Sequence, residues 1–144
     1  MSNSQSKQTS GRFDVMALAA ELPGDVKTML VDTYLTDRES ASARIFRVLR
    51  PVPAHYHETC DEFLYVLTGR GTFWMNDAAD AQPFGPGQLM VFDRNTVHCV
   101  AEIHEHPLTV LAIDTPRRKP TDIVFVDPED GTAADFMARN AAAD

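Results

Sequence analysis

Residues 53–69 read PAHYHETCDEFLYVLTG, and this stretch predicts both a fold and a chemistry. In an extended strand, side chains two positions apart point to the same side, so His55 and His57 can present two imidazoles to one point. Glu62 follows His57 by five positions, which is an odd separation. A turn through residues 59–61 therefore has to bring the carboxylate back to the side of the histidines.

A third histidine, His98, opens another predicted strand after a turn at residues 93–96. Three neutral imidazoles and one carboxylate form a mixed nitrogen and oxygen ligand set, which suits one divalent transition metal: Fe, Mn, Ni, Co, Cu or Zn. Two histidines at this spacing are a weak signal by themselves, and the residues permit another interpretation. In it, Glu62 is an exposed carboxylate at a strand edge and His98 is a hydrogen-bonded core residue.

The rest of the chain predicts an all-β domain. Short segments rich in β-branched and aromatic residues alternate with turn-forming clusters, a spacing typical of a sandwich or barrel. The predicted strands are residues 28–35, 43–50, 62–68, 72–75, 88–92, 97–101, 108–114 and 122–127. A short helix is predicted over residues 14–22 with Asp14 as its N-cap, and a second helix from Thr132.

Composition excludes several classes of protein. The chain has 144 residues, with 13 Lys and Arg against 21 Asp and Glu, a net charge of −8. This length can bury its own core, and two cysteines are too few for a disulfide framework. The acidic balance argues against a nucleic-acid partner, and no apolar run approaches the roughly 20 residues of a membrane span. The opening residues lack the apolar stretch of a secretory signal, so we expect a cytoplasmic protein.

The histidine motifs resemble the two sequence motifs of the cupin superfamily. The first cupin motif, G(x)5HxH(x)3,4E(x)6G, is matched from its second conserved position onward by His55, His57, Glu62 and Gly69. In the second motif, G(x)5PxG(x)2H(x)3N, Gly87 and His98 keep their spacing. The resemblance covers roughly residues 43–114.

Four positions depart from these motifs, and they change the loops rather than the ligand set. They are Leu49, Asp93, Asn95 and Glu102. Asn95 stands where the second motif has glycine. Since asparagine tolerates the left-handed backbone conformation better than most residues, Asn95 can still form that turn.

The resemblance implies a double-stranded β-helix, or jelly-roll, barrel that holds one divalent transition metal through His55, His57, Glu62 and His98. It also implies a homodimer. We expect residues 1–12 to form a flexible segment and residues 13–128 to form the barrel domain. Residues 129–144 are expected to form a C-terminal helix or tail.

A divalent ion held by three imidazoles and one carboxylate carries a net charge of about +1 and keeps two octahedral positions open. Such a centre favours a small anionic or chelating oxygen donor as substrate. The resemblance favours a dioxygenase. A non-redox lyase, isomerase or cyclase, and a binding or sensing protein without turnover, stay open as alternatives.

Four further residues have less certain roles. Arg47 is a candidate to hold a substrate carboxylate, although arginines on strands are more often solvated. His104 and His106 repeat the two-residue spacing, but their position before Pro107 predicts a solvated hairpin tip. Cys60 lies in the turn between the ligands, where we expect a free thiol that can approach the site.

The ligand set gives a first prediction: His57→Ala and Glu62→Gln should each lower metal occupancy while leaving the barrel folded. Each substitution removes one ligand from a site that needs several at once. Elemental analysis of protein purified without chelators measures the occupancy, and circular dichroism checks the fold. Unchanged metal content in both variants would rule out the assigned ligands.

Overall fold

The computed structural model describes residues 10–24 and 26–133. Within this part of the chain, helix α1 (Val15–Ala20) precedes eight strands, and a 3-10 helix follows them at Pro128–Asp130. The strands are β1 (Leu30–Asp37), β2 (Ser42–Val48), β3 (Val52–Tyr56), β4 (Asp61–Met75), β5 (Gln82–Phe84), β6 (Leu89–Phe92), β7 (His98–Thr115) and β8 (Val124–Phe125). No helix among the described residues has the length and apolar character to cross a membrane.

The structure tests only part of the predictions made for the two ends of the chain. Asp14 is the N-cap of α1, and its side chain accepts a hydrogen bond from the Ala17 backbone at 3.1 Å, as the sequence predicted. Most of the expected flexible segment at residues 1–12 lies outside the described residues. The same holds for most of the helix predicted from Thr132.

Strands β4 and β7 form the framework of the fold. They pair antiparallel from Asp61 opposite Thr115 to Met75 opposite His98. The prediction of four shorter strands over these residues is wrong. Register shifts rather than turns interrupt the ladder, and a bulge bends a strand without ending it.

Antiparallel pairing joins all eight strands in the order β1-β2-β7-β3-β8, with β4 paired to β5, β6 and β7. The C-terminal half of β7 pairs with β2 and its N-terminal half with β3. This arrangement is the double-stranded β-helix that the sequence predicted. The prediction treated the residues around His55 as extended but did not list β3 as a strand, and it missed β5, since each is short and contains a proline, which argues against a strand.

Alternate residues of each strand face the interior of the barrel, and most of these inward-facing residues are apolar. Its core consists of Phe46, Val48, Val52, Leu64, Val66, Phe84, Met90, Phe92, Leu108, Val110 and Ala112. A second cluster lies on the outer face, where Ala19 of α1 packs with Leu35 and Ile45. Strand β2 is therefore buried on both faces.

Arg47 attaches α1 to the outer face of the sheet. Its guanidinium donates to the backbone oxygens of Leu22 and Ala19, and its Nε donates to Thr109 Oγ1 at 3.1 Å. The Ala19 oxygen also accepts from Leu22 N at 3.2 Å, so Arg47 adds a second donor at the end of α1 and binds the segment that follows it through Leu22 O. These bonds hold its side chain outside the barrel, away from any substrate in the interior, so the structure does not support the suggested contact with a substrate carboxylate.

Gly69 permits the close crossing of β4 and β7. Its φ is +89°, and a Cβ at this position would lie 2.6 Å from both Leu108 Cα and the Pro107 carbonyl oxygen. Gly87 has a similar φ of +87°, but a Cβ there would meet nothing within 4 Å. A side chain at either glycine would strain the backbone, but only a side chain at Gly69 would also collide with neighbouring atoms. Comparing the two positions therefore distinguishes the two costs.

We predict that Gly87→Ala lowers the free energy of unfolding by about 1–2 kcal/mol, the cost of a left-handed conformation for a residue with a side chain. Gly69→Ala should cost about 1–3 kcal/mol more, because the added methyl group also overpacks against backbone. Urea denaturation of both variants measures the difference. Equal losses would contradict the close crossing at Gly69.

Candidate metal centre

Three histidine side chains converge inside the barrel. His55 lies on β3, His57 follows one residue after its end, and His98 begins β7. Pairing of β3 with β7 sets His55 directly opposite His98, and alternation along the chain directs His57 to the side of His55. All three are buried, and each offers a ring nitrogen within 4.8 Å of the other two.

Glu62, near the start of β4, joins the three histidines. Its Oε1 lies 3.5 Å from His57 Nε2 and 3.3 Å from His98 Nε2. The turn between His57 and β4 brings the carboxylate back to the side of the histidines, as the odd spacing required. The side chain is only 6% exposed, so the alternative interpretation of an exposed carboxylate is wrong.

Backbone carbonyl groups orient all three imidazoles through Nδ1. The hydrogen bonds run from His55 to Pro53 O at 2.7 Å, from His57 to Asp122 O at 2.6 Å, and from His98 to Thr96 O at 2.9 Å. A carbonyl oxygen can only accept, so each Nδ1 carries a proton and each neutral ring keeps a lone pair on Nε2. Metal-binding histidines are commonly oriented by a hydrogen bond of this kind.

The Nε2 lone pairs and the Glu62 carboxylate face one another. All of these atoms are acceptors, and a cation bound between them would satisfy them. His98 Nε2 is buried and has no hydrogen-bond partner, because the nearby Glu62 oxygen is also an acceptor. Buried acceptors without a donor cost free energy. Imidazole nitrogen and carboxylate oxygen together suit a divalent transition metal, so the residues present fit one such ion.

The pKa shifts of the group keep His55 neutral and Glu62 ionised, which are the states that bind a metal, whereas they favour the protonated form of His57. Burial, with His98 and His57 nearby, holds the pKa of His55 well below its usual range, so this imidazole stays neutral. Burial tends to raise the pKa of Glu62, but His57 and His98 outweigh it and hold that pKa well below its usual value. For His57, burial lowers the pKa, yet the charge and hydrogen bonding of Glu62 raise it overall.

Arg44 holds the second oxygen of Glu62. Its buried guanidinium contacts Asp114 Oδ2 at 3.2 Å, Asp32 Oδ2 at 3.4 Å and Glu62 Oε2 at 3.5 Å. Burial lowers the pKa of Arg44, but the three carboxylates outweigh burial and raise it. One positive charge against three negative charges leaves an excess of two negative charges beside the histidines, which a divalent cation would offset.

The sequence analysis missed Arg44 and considered Arg47 instead. The available signal was alternation along β2, where Arg44 shares a face with Phe46 and Val48, two residues of the inner core. Arg47 shares the opposite face with Ile45. The odd or even position of an arginine on this strand thus decides whether it reaches the interior.

Asp122, also missed by the sequence analysis, fixes the turn between the ligands of the first motif. Its carboxylate accepts from Glu58 N at 2.7 Å, from Thr59 N at 3.0 Å and from Thr59 Oγ1 at 2.6 Å. Its backbone oxygen also holds His57. Because Asp122 comes 60 residues after Glu62, no local pattern marks this contact.

The turn before His98 is bound to the turn before Glu62. Asn95 has a φ of +69°, which confirms that this residue forms the left-handed turn. Its N–H donates to His57 O at 2.7 Å. Beside it, Arg94 donates from Nε to Asp61 Oδ1 at 3.1 Å and from Nη2 to Asp61 Oδ2 at 3.2 Å. The two motifs therefore fix each other in space.

The four side chains face a narrow cavity of about 60 Å³, room for roughly four water molecules. Its walls are mainly apolar and aromatic, and they include Phe46, Leu64, Phe73, Phe84 and Phe92. Phe92 stacks on the His98 ring, with ring centres 4.0 Å apart and planes at 5°. Among the described residues, the charged side chains that line the cavity besides the histidines and Glu62 are Arg44 and Arg118.

Three other candidates lie away from this centre. His104 and His106 are exposed and belong to the continuous strand β7, so the predicted hairpin tip is wrong. His104 Nε2 lies 2.7 Å from Thr72 Oγ1 on β4. Cys60 is a buried free cysteine that does not line the cavity. Burial raises its pKa to about 12, which keeps the thiol protonated.

Comparison with known proteins supports the assignment of the fold. The family model of the cupin domain matches residues 48–114, which contain all four side chains of the candidate centre. A search of curated proteins found no match.

Several solved structures share this fold. BH2720 from Bacillus halodurans is 16% identical with a TM-score of 0.66, over 90% of this chain and 95% of that one. Pac13 from Streptomyces, described as a nucleoside dehydratase, is 20% identical with a TM-score of 0.59, over 83% of this chain and 92% of that one. KdgF from Halomonas is 21% identical with a TM-score of 0.57, over 65% and 86% respectively. At such identities, the likeness extends to the fold alone.

Metal retention should fall as the pH is lowered from about 8 to about 5, because an imidazole has to be neutral to bind a metal. Glu62 raises the pKa of His57 although burial lowers it, whereas burial holds the pKa of His55 well below its usual range, so protons should compete for His57 before His55. Affinity should fall as the pH drops below about 6.5. Dialysis at each pH followed by elemental analysis measures retention. A flat profile in folded protein would count against histidine ligands.

Proposed function

A cupin domain matches residues 48–114 of this chain, and on that premise we propose that the protein is a metal-dependent enzyme for a small oxygenated substrate, acting as a dioxygenase. The observation that carries the proposal is the set of three Nε2 lone pairs, each fixed by a backbone carbonyl and directed at one point beside the Glu62 carboxylate. A purely structural role would not require three buried acceptors to face one another.

A bound divalent metal would act as a Lewis acid and, when redox-active, would allow a substrate and dioxygen to react. His55, His57, Glu62 and His98 would hold it. Arg44 contacts the second oxygen of Glu62, Oε2, while Oε1 faces His57 and His98. The aromatic walls limit the entry of water and strengthen the electrostatic interactions of the centre.

The charged residues of the cavity favour a dioxygenase over an enzyme that moves protons by side chains. Besides the candidate ligands, the charged side chains among its described lining residues are Arg44 and Arg118. Arginine does not give up its proton in proteins, so neither can act as a general acid or base. Oxygen chemistry at a metal needs an apolar cavity and no such group.

A non-redox lyase, isomerase or cyclase is the second candidate. Pac13, which shares the fold, is described as a nucleoside dehydratase. In this chain, a water activated by the metal, or Glu62 itself, would then have to move the proton. Such a reaction would not consume dioxygen, so oxygen uptake distinguishes the dioxygenase from the non-redox enzyme.

The test is oxygen uptake by protein loaded with Fe²⁺, measured with acetylacetone, dihydroxyfumarate and mandelate. These compounds represent a 1,3-diketone, an enediol and a hydroxy acid. A dioxygenase should consume oxygen and place both atoms of ¹⁸O₂ in the product, and His57→Ala should abolish the uptake above background. Depletion of a compound under anaerobic conditions would instead establish the non-redox candidate.

A further inference from the structure

Arg118 lines the same cavity as the candidate metal centre. It lies in the segment between β7 and β8, and both ends of this segment are fixed. At one end, Arg117 Nε donates to Asp37 Oδ1 at 2.7 Å. At the other, Asp122 binds the turn after His57 through its carboxylate. The segment that presents Arg118 to the cavity is thus held at both ends, and its second end also orients the candidate ligand His57 through Asp122 O.

Arg118 differs from the other arginines of this region in having no partner. Arg44 contacts three carboxylates, Arg47 contacts the carbonyls of α1, and Arg117 contacts Asp37. Within residues 10–24 and 26–133, no hydrogen bond or ion pair is recorded for Arg118, and its Nε is buried without an acceptor. A buried donor of a charged group costs free energy when it is unpaired, so a ligand that supplies an acceptor would gain that interaction.

The surroundings of Arg118 leave the acceptor to a ligand. Its positive charge acts to lower the pKa values of His57, of the Cys60 thiol and of Tyr34, so the guanidinium lies near the candidate centre, and its Nε has no acceptor there. The rest of the cavity wall is mainly apolar and aromatic. An anion entering this cavity would thus meet both the unpaired Nε of Arg118 and the metal centre.

We propose that Arg118 binds the carboxylate of the substrate, a small organic acid whose other end carries the oxygen donors that bind the metal. This inference rests on the proposed function of the centre. The planar guanidinium matches the two oxygens of a carboxylate, and the mainly apolar and aromatic walls of the cavity favour a small organic acid. Because arginine keeps its proton, its role is to bind and orient the substrate.

The test uses Co²⁺-loaded protein and two kinds of chelating probe. Acetohydroxamate binds a metal with no further charge, and the monohydroxamates of malonic, succinic and glutaric acid carry the same chelating group with a carboxylate on a longer arm. Titration is followed by the visible absorption of Co²⁺. We expect at least one carboxylate probe to bind about ten- to one-hundred-fold more tightly than acetohydroxamate, the effect of a hydrogen bond to a charged group.

Arg118→Gln should abolish this gain while leaving the affinity for acetohydroxamate and the Co²⁺ content unchanged. Arg118→Lys should restore part of it, because lysine keeps the charge but loses the planar fork. The matched control is Arg70→Gln, which removes the same charge from an exposed arginine outside the cavity. It should keep the full gain.

The outcomes separate this inference from the proposed function. If no carboxylate probe binds more tightly than acetohydroxamate, or if the gain survives Arg118→Gln, Arg118 does not bind the carboxylate and the metal centre is unaffected. If the protein does not bind Co²⁺, or acetohydroxamate leaves the spectrum unchanged, the proposed function itself fails. The inference of a substrate held by both the metal and Arg118 then fails with it.

Discussion

Three hydrogen bonds from imidazole Nδ1 to backbone carbonyls are the interaction on which the candidate site depends. Each bond fixes a tautomer and a ring orientation, so that the three Nε2 atoms meet with lone pairs exposed. The acceptors come from the chain just before His55, from the turn before His98, and from Asp122 in the segment after β7. Two of these acceptors are local, since Pro53 and Thr96 each lie two residues before the histidine they orient, whereas the bond from His57 to Asp122 forms only when the segment after β7 packs against the first motif.

The long ladder between β4 and β7 brings the two motifs together. Its ends place Glu62 and His98 inside one barrel, and its middle needs Gly69, where the backbones approach too closely for a side chain. The turns before the ligands then lock to each other through Asn95 and Arg94. Gly69, which ends the first motif, therefore supports the metal centre by permitting the close approach of β4 and β7, although it is not one of the candidate ligands.

Charge is distributed unevenly around the cavity. Arg44 faces three carboxylates, an acidic excess that suits a cation. Arg118 lines the same cavity, and among the residues that the structure describes its Nε has no acceptor. A metal would offset the first imbalance and an anionic substrate the second, so both proposals describe ligands that complete a charge pattern already built into the barrel.

The sequence by itself determined the all-β fold, the four side chains of the centre and the left-handed turn at Asn95, because these follow from alternation, spacing and local conformational preference. It did not determine the length of β4 and β7, since bulges look like turns in a linear pattern. Nor did it reveal Arg44, Asp122 or Arg118, or the outward position of Arg47. Each of those roles depends on partners far along the chain or on which face of a strand is covered, and only the tertiary structure decides these.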